Sequence, residues 1–569
     1  MWLRDLSIKN FRKIESLNVT FQKGLSILVG ENNSGKTAII DALRLILFPS
    51  RDYDSLKISE DDFRYGTDFK PIEISCRFTD LSEIDEVHFS ECLVDIGDGK
   101  FEIQINLRIE FSTISNRPNF KMWGGETEGG SLPSNHYDRL ETVYLQPLRD
   151  PEKGLRPSQY SQIARLLSTI TSEDKEADYE EIVKTANQAI RSLDQVESAV
   201  GSINNKLKEI TGDELSQKTD LIFNDPNFRR IIAGLQPEID NLPFSLNGLG
   251  YNNLIFTATT LATLSSGDQF SHKSILIEEP EAHLHPQLQV LLLRHLAKVT
   301  EKDEIDVQVI ASTHSPILAS QAPIDSVISV SDIDGIVSTI CVNKIKIEDK
   351  TKKKLQRYLD ATRGELFFAR RILMVEGISE ALLLPILTQF AGGDLKESAI
   401  TVINTQGINF DAFLSLFVQN EKNMPIAILT DGDADEIGGD ISATAKGLKE
   451  KEEVVHNLSV ELPIITFEHE LARSEVMLSH LINAFKEVHP QLGVTLEQEL
   501  NSINGIDQKA NRFLEVFKEK KVSKGKFAQE LAYILGKTEL GPEFVPEYIK
   551  KALRHLGVIK NEVNDAQPS

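Results

Sequence analysis

Apolar residues are distributed along the chain in two alternating arrangements. Short unbroken apolar runs, such as residues 25–29 ("LSILV") and 274–277 ("SILI"), indicate buried strands. Residues 37–47 ("TAIIDALRLIL") instead carry apolar positions three or four apart, which is typical of an amphipathic helix. A strand, a loop and a helix in this order predict an α/β fold at the start of the chain.

The alternation of strands and helices returns in the last third of the chain. Four strands are predicted there, in "RRILMVE", "AITVINTQG", "PIAILTDGDAD" and "LPIITFEHE". In an open parallel sheet the carboxyl ends of the strands face one crevice. The acidic residues at these strand ends are therefore predicted to share one site: Glu376, Asp431, Asp433 and Glu468.

A strict heptad repeat lies between the two α/β parts. Its apolar positions are Ile182, Ala186, Ala189, Leu193, Val196, Val200, Ile203, Leu207 and Ile210. Such a stripe is typical of helices that pair with other helices, and we interpret residues 155–240 as an inserted helical dimerisation domain. A helix packed on its own domain would show the same stripe, and Gly201 argues against one unbroken rod.

Length and charge change this picture in two ways. A chain of 569 residues is too long for one core, so several domains are expected. The net charge of −24 by itself argues against a polyanionic partner, but acidic residues can also serve to hold cations. The basic residues concentrate between residues 344 and 371. That segment is either a solvated helix face or a surface for a polyanion.

Targeting signals and cysteine chemistry are not indicated. No run of about 18 apolar residues and no secretion signal is present, so we expect a cytoplasmic protein without a membrane anchor. Cys76, Cys92 and Cys341 are far apart, which argues against a disulfide framework and against a zinc site. We expect them in the core.

Candidate chemistry begins at residues 30–37, "GENNSGKT", which match the pattern G-x-x-x-x-G-K-S/T. Between a strand and a helix, the glycines of this pattern let backbone N–H groups close around phosphate oxygens. Lys36 reaches the β and γ phosphates, and Thr37 can ligate Mg²⁺. A turn rich in Gly and Ser is the plainer alternative. The predicted nucleotide-binding residues are Gly30, Asn33, Ser34, Gly35, Lys36 and Thr37.

Two later strand ends supply the remaining parts of a hydrolytic site. Glu278 and Glu279 follow the strand at 274–277, and His314 follows "VQVIAST". We predict that Glu278 ligates Mg²⁺, that Glu279 is the base that orients the attacking water, and that His314 senses the γ-phosphate. Adjacent acids are often surface residues and a lone histidine is often structural, so the prediction depends on their combination and order.

The acidic cluster in the last third predicts a second chemistry. Like charges in one crevice are costly unless cations neutralise them, and hard divalent ions prefer oxygen ligands. Two such ions about 4 Å apart can activate a water and stabilise the leaving oxygen of a phosphodiester. Each acid alone could be a helix cap or a loop residue, and "DGDAD" could begin a calcium loop whose remaining motif is absent. Together they predict phosphoryl chemistry.

With these motifs, the first part of the chain resembles ABC-class ATPase heads of the branch that contains RecF, SMC-type proteins and the OLD (overcoming lysogenization defect) nucleases. "IEEPEAHLHP" is the most specific match, with Glu278 where Asp is commoner, and "LSIKNFRKIE" implies that Arg12 contacts the nucleotide. ATP in such heads lies between two copies, which implies a homodimer or a higher homo-oligomer. "LNGLGYNNLIF" stands at the family's signature segment, and the nucleotide contacts it implies are Asn247, Gly248 and Gly250.

The last part of the chain resembles the Toprim domain, whose motifs are a strand-end Glu followed by Gly and a later Asp-x-Asp. "EG" at 376–377 and "DGD" at 431–433 match them, and Glu380 matches the OLD version. "SKGKFAQELA" implies that Lys524 stabilises transition-state charge on the phosphate, with Lys526 as the alternative. The implied metal ligands are Glu376, Glu380, Asp431, Asp433 and Glu468.

An ABC-type P-loop head, inserted helices and a C-terminal Toprim domain in this order are the OLD architecture. The implied segments are 1–154 and 241–355 for the two halves of the ATPase, 155–240 for the helical dimerisation domain, and 356–569 for the Toprim domain, a Rossmann-like parallel sheet, with C-terminal helices.

This resemblance implies an ATP-hydrolysing, Mg²⁺- or Mn²⁺-dependent DNA endonuclease or nickase that acts in antiphage defence. OLD proteins act alone, with a UvrD-like helicase as in Gabija, or beside a retron reverse transcriptase. Toprim primases bring a zinc module and topoisomerases a tyrosine domain, and neither fits here. The remaining alternative is a DNA-binding SMC- or RecF-like repair ATPase whose Toprim domain is a non-cleaving scaffold or sensor.

Overall fold

The structure, a computed structural model, divides into two compact units. Unit 1 contains residues 1–28 and 36–313, and unit 2 contains residues 29–35 and 314–569. Asp433 lies outside the residues that the structure describes. The described residues are 1–47, 56–67, 69–129, 132–146, 154–239, 241–266, 270–301, 307–359, 363–406, 410–418, 424–432, 439–519 and 522–560.

Two kinds of strand pairing build unit 1. Its strands are β1 (Trp2–Phe11), β2 (Ile14–Thr20), β3 (Leu25–Val29), β4 (Ile72–Thr79), β5 (Leu93–Gly97), β6 (Lys100–Ser112), β7 (Arg117–Gly124), β8 (Leu140–Leu145), β9 (Glu238–Ile239), β10 (Leu242–Pro243), β11 (His272–Glu278) and β12 (Gln308–Thr313). An antiparallel sheet has the order β2-β1-β4-β6-β5, with β7 paired to β6. Burial alternates along β4, because successive side chains of a strand point to opposite faces.

The second group of strands confirms the predicted buried strands. β3, β12, β11 and β8 lie side by side, and β8, β11 and β12 run parallel. All residues of β3 and β12 are buried, as expected for strands covered on both faces. The next element after β3 is helix α1 (Lys36–Leu47), which buries all its residues except Thr37.

The predicted heptad stripe is divided between two helices. The remaining helices of unit 1 are α2 (Glu83–His88), α3 (Gln162–Ile170), α4 (Glu173–Arg191), α5 (Asp194–Thr211), α6 (Phe228–Ala233), α7 (Leu249–Ser265) and α8 (Pro286–Glu301). The break falls between α4 and α5, where Leu193 is the extended N-cap of α5, and Gly201 lies inside α5. Ile182, Leu193 and Ile210 of the stripe are 68%, 52% and 81% exposed, so the stripe does not pack on unit 1 at these positions.

Unit 2 contains a parallel sheet with helices. Its elements are α9 (Pro316–Gln321), β13 (Val327–Ile333), β14 (Ile336–Cys341), α10 (Asp349–Tyr358), β15 (Arg371–Val375), α11 (Ile378–Phe390), β16 (Ile400–Asn404), α12 (Phe410–Val418), β17 (Ile426–Leu429), α13 (Ala443–Val454), β18 (Leu458–Glu461), α14 (Phe467–Ala472), α15 (Glu475–Val488), α16 (Pro490–Asn501), α17 (Ile506–Glu519), α18 (Lys524–Leu535) and α19 (Glu547–His555). The order β16-β15-β17-β18, all parallel, is the predicted Rossmann-like sheet.

One strand of this sheet was predicted in the wrong place. The fourth strand is β18, which ends at Glu461, and Glu468 lies in the first turn of helix α14 instead of at a strand end. Pro463 has no N–H group for a strand ladder, so the strand ends before it. The Thr466 side chain then accepts a hydrogen bond from the His469 N–H and begins the helix.

The C-terminal helices of unit 2 enclose an apolar core with the sheet. Phe485, Phe513 and Phe527 are fully buried in it. In the described part of the chain no helix is long and apolar enough to cross a membrane. The three cysteines are buried, as predicted for core residues.

Candidate functional site

The loop between β3 and α1 has a conformation that requires glycine. A Cβ atom on Gly30 would lie 2.1 Å from the Val330 carbonyl oxygen, so any side chain would collide with the backbone. Gly35 and Asn33 have positive φ angles of 108° and 65°, a region that favours Gly and tolerates Asn. Ser34 is buried in the loop. A tight loop before a helix start presents N–H groups to anions, which fits a nucleotide phosphate.

His314 touches this loop. Its Nδ1 atom lies 3.0 Å from the carbonyl oxygen of Gly30, and the residue follows β12 directly. The structure thus brings the histidine to the first glycine of the predicted phosphate loop, as a γ-phosphate sensor requires. Its role stays a prediction.

Glu278, the last residue of β11, has the properties of a cation ligand. Burial, together with the negative charges of Asp41 and Glu279, raises its pKa to about 7. Its Oε1 atom is buried and accepts no hydrogen bond from the described residues. A buried carboxylate oxygen without a partner is costly, and a hard cation would satisfy it. Glu278 therefore fits the predicted Mg²⁺, with Thr37 exposed at the start of α1 as the second predicted ligand.

Glu279 has a strained backbone. Its φ angle is +47°, in the left-handed region that non-glycine residues avoid, and its N–H donates to the Ser312 carbonyl at 2.9 Å. Such strain persists only where surrounding contacts hold it and is frequent at functional sites. Because this conformation is not that of a β-strand, the strand ends at Glu278 and the backbone changes direction at Glu279.

Two charged residues that no motif included, Asp41 and Arg44, lie near Glu278 together with the predicted Arg12. Arg12 is held by two carboxylates: Nη1 lies 2.7 Å from Asp41 Oδ2, and Nε lies 2.8 Å from Asp62 Oδ1. Its contact with a nucleotide stays a prediction. Asp41 also pairs with Arg44 at 2.7 Å. The sequence contained one sign of these ion pairs: Asp41 and Arg44 are charged residues three positions apart on the otherwise apolar helix α1.

The signature segment occupies the start of α7. Asn247 precedes the helix, Gly248 is its N-cap, and Gly250 lies in its first turn. A Cβ atom on Gly250 would lie 2.6 Å from the His283 carbonyl oxygen, so glycine is required for the approach of α7 to this loop. Gly248 has open space around it, and Tyr251 is 58% exposed. The start of α7 therefore offers an exposed surface, as a contact to a second copy requires.

In unit 2, the carboxyl ends of β15 and β17 are joined by Glu376. Its Oε2 atom accepts hydrogen bonds from Thr430 Oγ1 at 2.7 Å and from the Asp431 N–H at 3.1 Å. Glu376 follows β15 and Asp431 follows β17, which are neighbouring parallel strands. The two predicted residues therefore meet at one edge of the sheet.

Asp431, Glu380 and Glu468 form the buried part of this acid cluster. Burial, together with the negative charges of the neighbouring carboxylates, raises the pKa of Asp431 to about 8 and that of Glu380 to about 7. Asp431 Oδ1 accepts from the Phe467 N–H at 2.8 Å, which brings α14 and Glu468 to the sheet edge. Carboxylates with pKa values this high are poor anions at neutral pH unless a cation compensates their charge.

Lys524 brings a positive charge to the cluster. Its Nζ atom lies 3.3 Å from Glu468 Oε1. Burial lowers the pKa of Lys524, but the surrounding carboxylates outweigh burial and raise the pKa overall. Lys526 is exposed and contacts no acid in the described residues, so the geometry favours Lys524.

The residues of the cluster fit hard divalent ions through their all-oxygen donor set. Among the described residues, no group of three or more His, Cys, Asp or Glu side chains is already arranged to hold a metal; the predicted ligand Asp433 lies outside them. The sequence missed Ser379, whose Oγ lies 3.5 Å from Glu468 Oε1, and Tyr548 on α19. Burial and the same carboxylates raise the pKa of Tyr548. Neither residue carries a motif that would have identified it.

Comparison with known proteins agrees with both parts. A family model described as an AAA ATPase domain matches residues 1–127 and 141–319, more than half of the chain. The chain belongs to the AAA ATPase domain family. A second model, the TOPRIM domain of proteins like the overcoming lysogenization defect protein, matches residues 367–433. In this AAA ATPase the catalytic head is thus followed by an OLD-like TOPRIM domain, and the resemblance inferred from the motifs is confirmed.

Two relatives of this AAA ATPase are named nucleases. The OLD nuclease of Thermus scotoductus is 26% identical over 398 residues, which cover 66% of this chain and 72% of the relative. Endonuclease GajA of Bacillus cereus is 22% identical over an alignment that covers 98% of this chain and 99% of the relative. The C-terminal region of the Xanthomonas campestris pv. campestris OLD protein covers 34% of this chain at 24% identity, with a TM-score of 0.26 that supports no inference by itself.

Proposed function

We propose that this protein is an ATP-hydrolysing, divalent-metal-dependent endonuclease or nickase that cleaves DNA. One observation carries the proposal: acidic residues from three separate segments and a lysine from a fourth meet at the carboxyl edge of the parallel sheet. The residues are Glu376, Glu380, Asp431, Glu468 and Lys524. The names of the OLD nuclease and GajA relatives support the same activity.

In the proposed nuclease site, the acidic residues bind the metal ions and the lysine stabilises negative charge on the phosphate. Glu376, Glu380, Asp431, Glu468 and the neighbouring Asp433 hold Mg²⁺ or Mn²⁺. Two ions held by these residues would supply the activation of a water and the stabilisation of the leaving oxygen of a phosphodiester. Lys524 contributes a fixed positive charge where negative charge develops on the phosphate.

The ATPase site uses residues of the head. The loop at 30–37 and the signature residues bind ATP, Thr37 and Glu278 hold Mg²⁺, and Glu279 orients the attacking water. His314 monitors the γ-phosphate. Because the signature segment completes a site on another head, the active form is a homodimer or a higher homo-oligomer in which the 155–240 helices pair.

The biological setting follows from the same relatives. We assign the protein to antiphage defence, the setting that its resemblance to the OLD family implies; the GajA alignment over 98% of this chain and the OLD nuclease alignment over 66% support that resemblance. A UvrD-like helicase, or a retron reverse transcriptase with its nucleic acid, is the proposed partner class. The site of action is the cytoplasm, where both ATP and DNA are present.

Plasmid cleavage by the purified protein tests the proposal. We expect cleavage that depends on Mg²⁺ or Mn²⁺ and that is lost in Asp431→Ala, while ATP hydrolysis is retained. Asp440→Ala, which changes a side chain that is 99% exposed, serves as the matched control and should cut like the wild type. Undiminished cleavage by Asp431→Ala would refute the nuclease site. DNA binding without any cleavage would support the scaffold or sensor alternative.

A further inference from the structure

The basic segment found in the sequence forms one continuous face of helix α10. Residues three and four apart on a helix are neighbours, so positions 350, 353, 354 and 357 share one side. All four are basic and exposed: Lys350, Lys353, Lys354 and Arg357. We call them the α10 basic face.

The opposite side of α10 fixes the helix to unit 2. Leu355 is fully buried, and Lys352 Nζ lies 2.7 Å from Asp325 Oδ1. The Gln356 side chain accepts a hydrogen bond from the Ile324 N–H at 2.9 Å. The basic face is therefore turned outward on a helix that is held at its base.

The charges of the α10 basic face have no ion-pair partner in the described part of the chain. A solvated helix face usually places Glu three or four residues from Lys, whereas like charges at those spacings destabilise a helix. Apart from Asp349 in the first turn, four residues before Lys353, α10 carries no acidic residue, although acidic residues outnumber Lys and Arg 86 to 62 in this chain.

The position of α10 connects this face to the nuclease part of the same unit. α10 packs against α12, the helix that follows β16. β16 pairs with β15, and Glu376 follows β15 directly. The helix that carries the α10 basic face and the strand that precedes Glu376 thus belong to the same compact unit.

We propose that the α10 basic face binds the phosphate backbone of duplex DNA and delivers it to the nuclease; this inference rests on the proposed function. Seven residues of helix span about 10 Å, and one DNA strand carries a phosphate about every 3.4 Å along the axis, so the face matches about three phosphates. The four cations are spread over an exposed helix surface and do not converge on an enclosed pocket, which fits a polyanion better than a single free phosphate. Backbone contacts of this kind position DNA without reading its sequence.

The salt dependence of DNA binding tests the proposal. Each neutralised phosphate contributes about 0.9 to the slope of log K against log salt concentration. Neutralising the four positions to Gln in one variant removes about three phosphate contacts and should therefore make the slope shallower by about 2.7. Glutamine keeps the helix propensity and removes like-charge repulsion, so the fold should be retained. Binding is measured by fluorescence anisotropy with a labelled DNA duplex in EDTA, between about 50 and 200 mM salt.

The control variant carries the same change of charge at exposed lysines on other elements. Its four Lys→Gln changes are at Lys100, Lys218, Lys518 and Lys551, and its slope should stay close to that of the wild type. A slope in the α10 variant equal to that of this control would overturn the proposal while leaving the nuclease function intact. Absence of DNA binding by the wild type, together with absence of plasmid cleavage, would overturn both.

Discussion

At the scale of single residues, the charge balance of the nuclease site distinguishes two lysines. Lys524 Nζ lies 3.3 Å from Glu468 Oε1, whereas Lys526 on the same helix contacts no acid among the described residues. We predict that Lys524→Met lowers the rate of DNA cleavage by about 100-fold or more, the usual loss when a transition-state donor is removed. Lys526→Met, the matched control, should stay close to the wild-type rate. Plasmid cleavage time courses of both variants measure this, and the reverse order of effects would reassign the role to Lys526.

His272 gives a pH prediction for stability. Burial lowers its pKa from 6.5 to about 3, and its ring lies against Phe78. Below pH 6.5 the unfolded chain takes up a proton that the folded chain refuses until about pH 3. The unfolded state then binds more protons, so the free energy of unfolding falls with decreasing pH in this window, by up to about 1.4 kcal/mol per pH unit.

Replacement of His272 should therefore flatten the acid side of the stability profile. Between about pH 7 and pH 5, the melting temperature of His272→Leu should fall less than that of the wild type. His295→Gln, at an exposed histidine, is the control and should follow the wild type. Thermal unfolding of the full chain at both pH values gives the comparison, and parallel curves for wild type and His272→Leu would contradict the assignment.

At the scale of elements, the α4–α5 pair presents exposed apolar side chains. Leu193 is 52% exposed at the junction of the two helices, and Val200 lies on the same heptad stripe. Exposed apolar stripes of this kind favour association. We predict that Leu193→Glu with Val200→Glu shifts the protein from dimer to monomer and lowers ATP turnover, because each ATP site needs a second signature segment.

Light scattering and ATPase assays measure this prediction. The control is Gln195→Glu with Ser198→Glu, which adds the same charge beside the stripe and should leave the mass unchanged. If the stripe variant remains a dimer with full ATP turnover, the subunits associate through another surface.

At the scale of the whole molecule, the phosphate loop and the nuclease sheet share unit 2. Glu31 of the loop pairs at 2.7 Å with Arg370, which immediately precedes β15. An exposed pair of this kind contributes little stability, but it connects the nucleotide loop to the strand that carries Glu376. We therefore expect the state of the nucleotide to act on DNA cleavage.

Glu279→Gln tests this coupling. The substitution keeps the size of the side chain but removes the base, so ATP should bind while hydrolysis slows by about 100-fold or more. We predict that bound ATP restrains the nuclease, so that the variant with ATP cuts less than the wild type with ATP. Cleavage time courses with and without ATP in both proteins measure it. Faster cutting by the variant would mean that closure activates the nuclease, and four equal rates would mean no coupling.

The sequence by itself determined the features that depend on local pattern. Strand β3, the glycine loop and α1 were predicted correctly because burial leaves a pattern in consecutive residues. A buried strand shows an unbroken apolar run, and a half-buried helix shows apolar residues three or four positions apart. Glu376 and Asp431 were predicted to meet because parallel strands end at the same edge, and the structure joins them through a 3.1 Å hydrogen bond. These conclusions needed no knowledge of how distant helices pack.

Only the tertiary structure decided the contacts between segments that no period connects. Glu468 reaches the acid cluster from helix α14, because Pro463 ends the strand and Thr466 begins the helix. Arg12 is held by Asp41 and Asp62 from two other segments. The partners of a charged side chain depend on which elements pack together. Packing is driven by the burial of apolar surface, which is non-directional and does not depend on where a particular charged residue stands in the sequence. The periodic pattern therefore predicts the elements, while the convergence of charges follows from their packing.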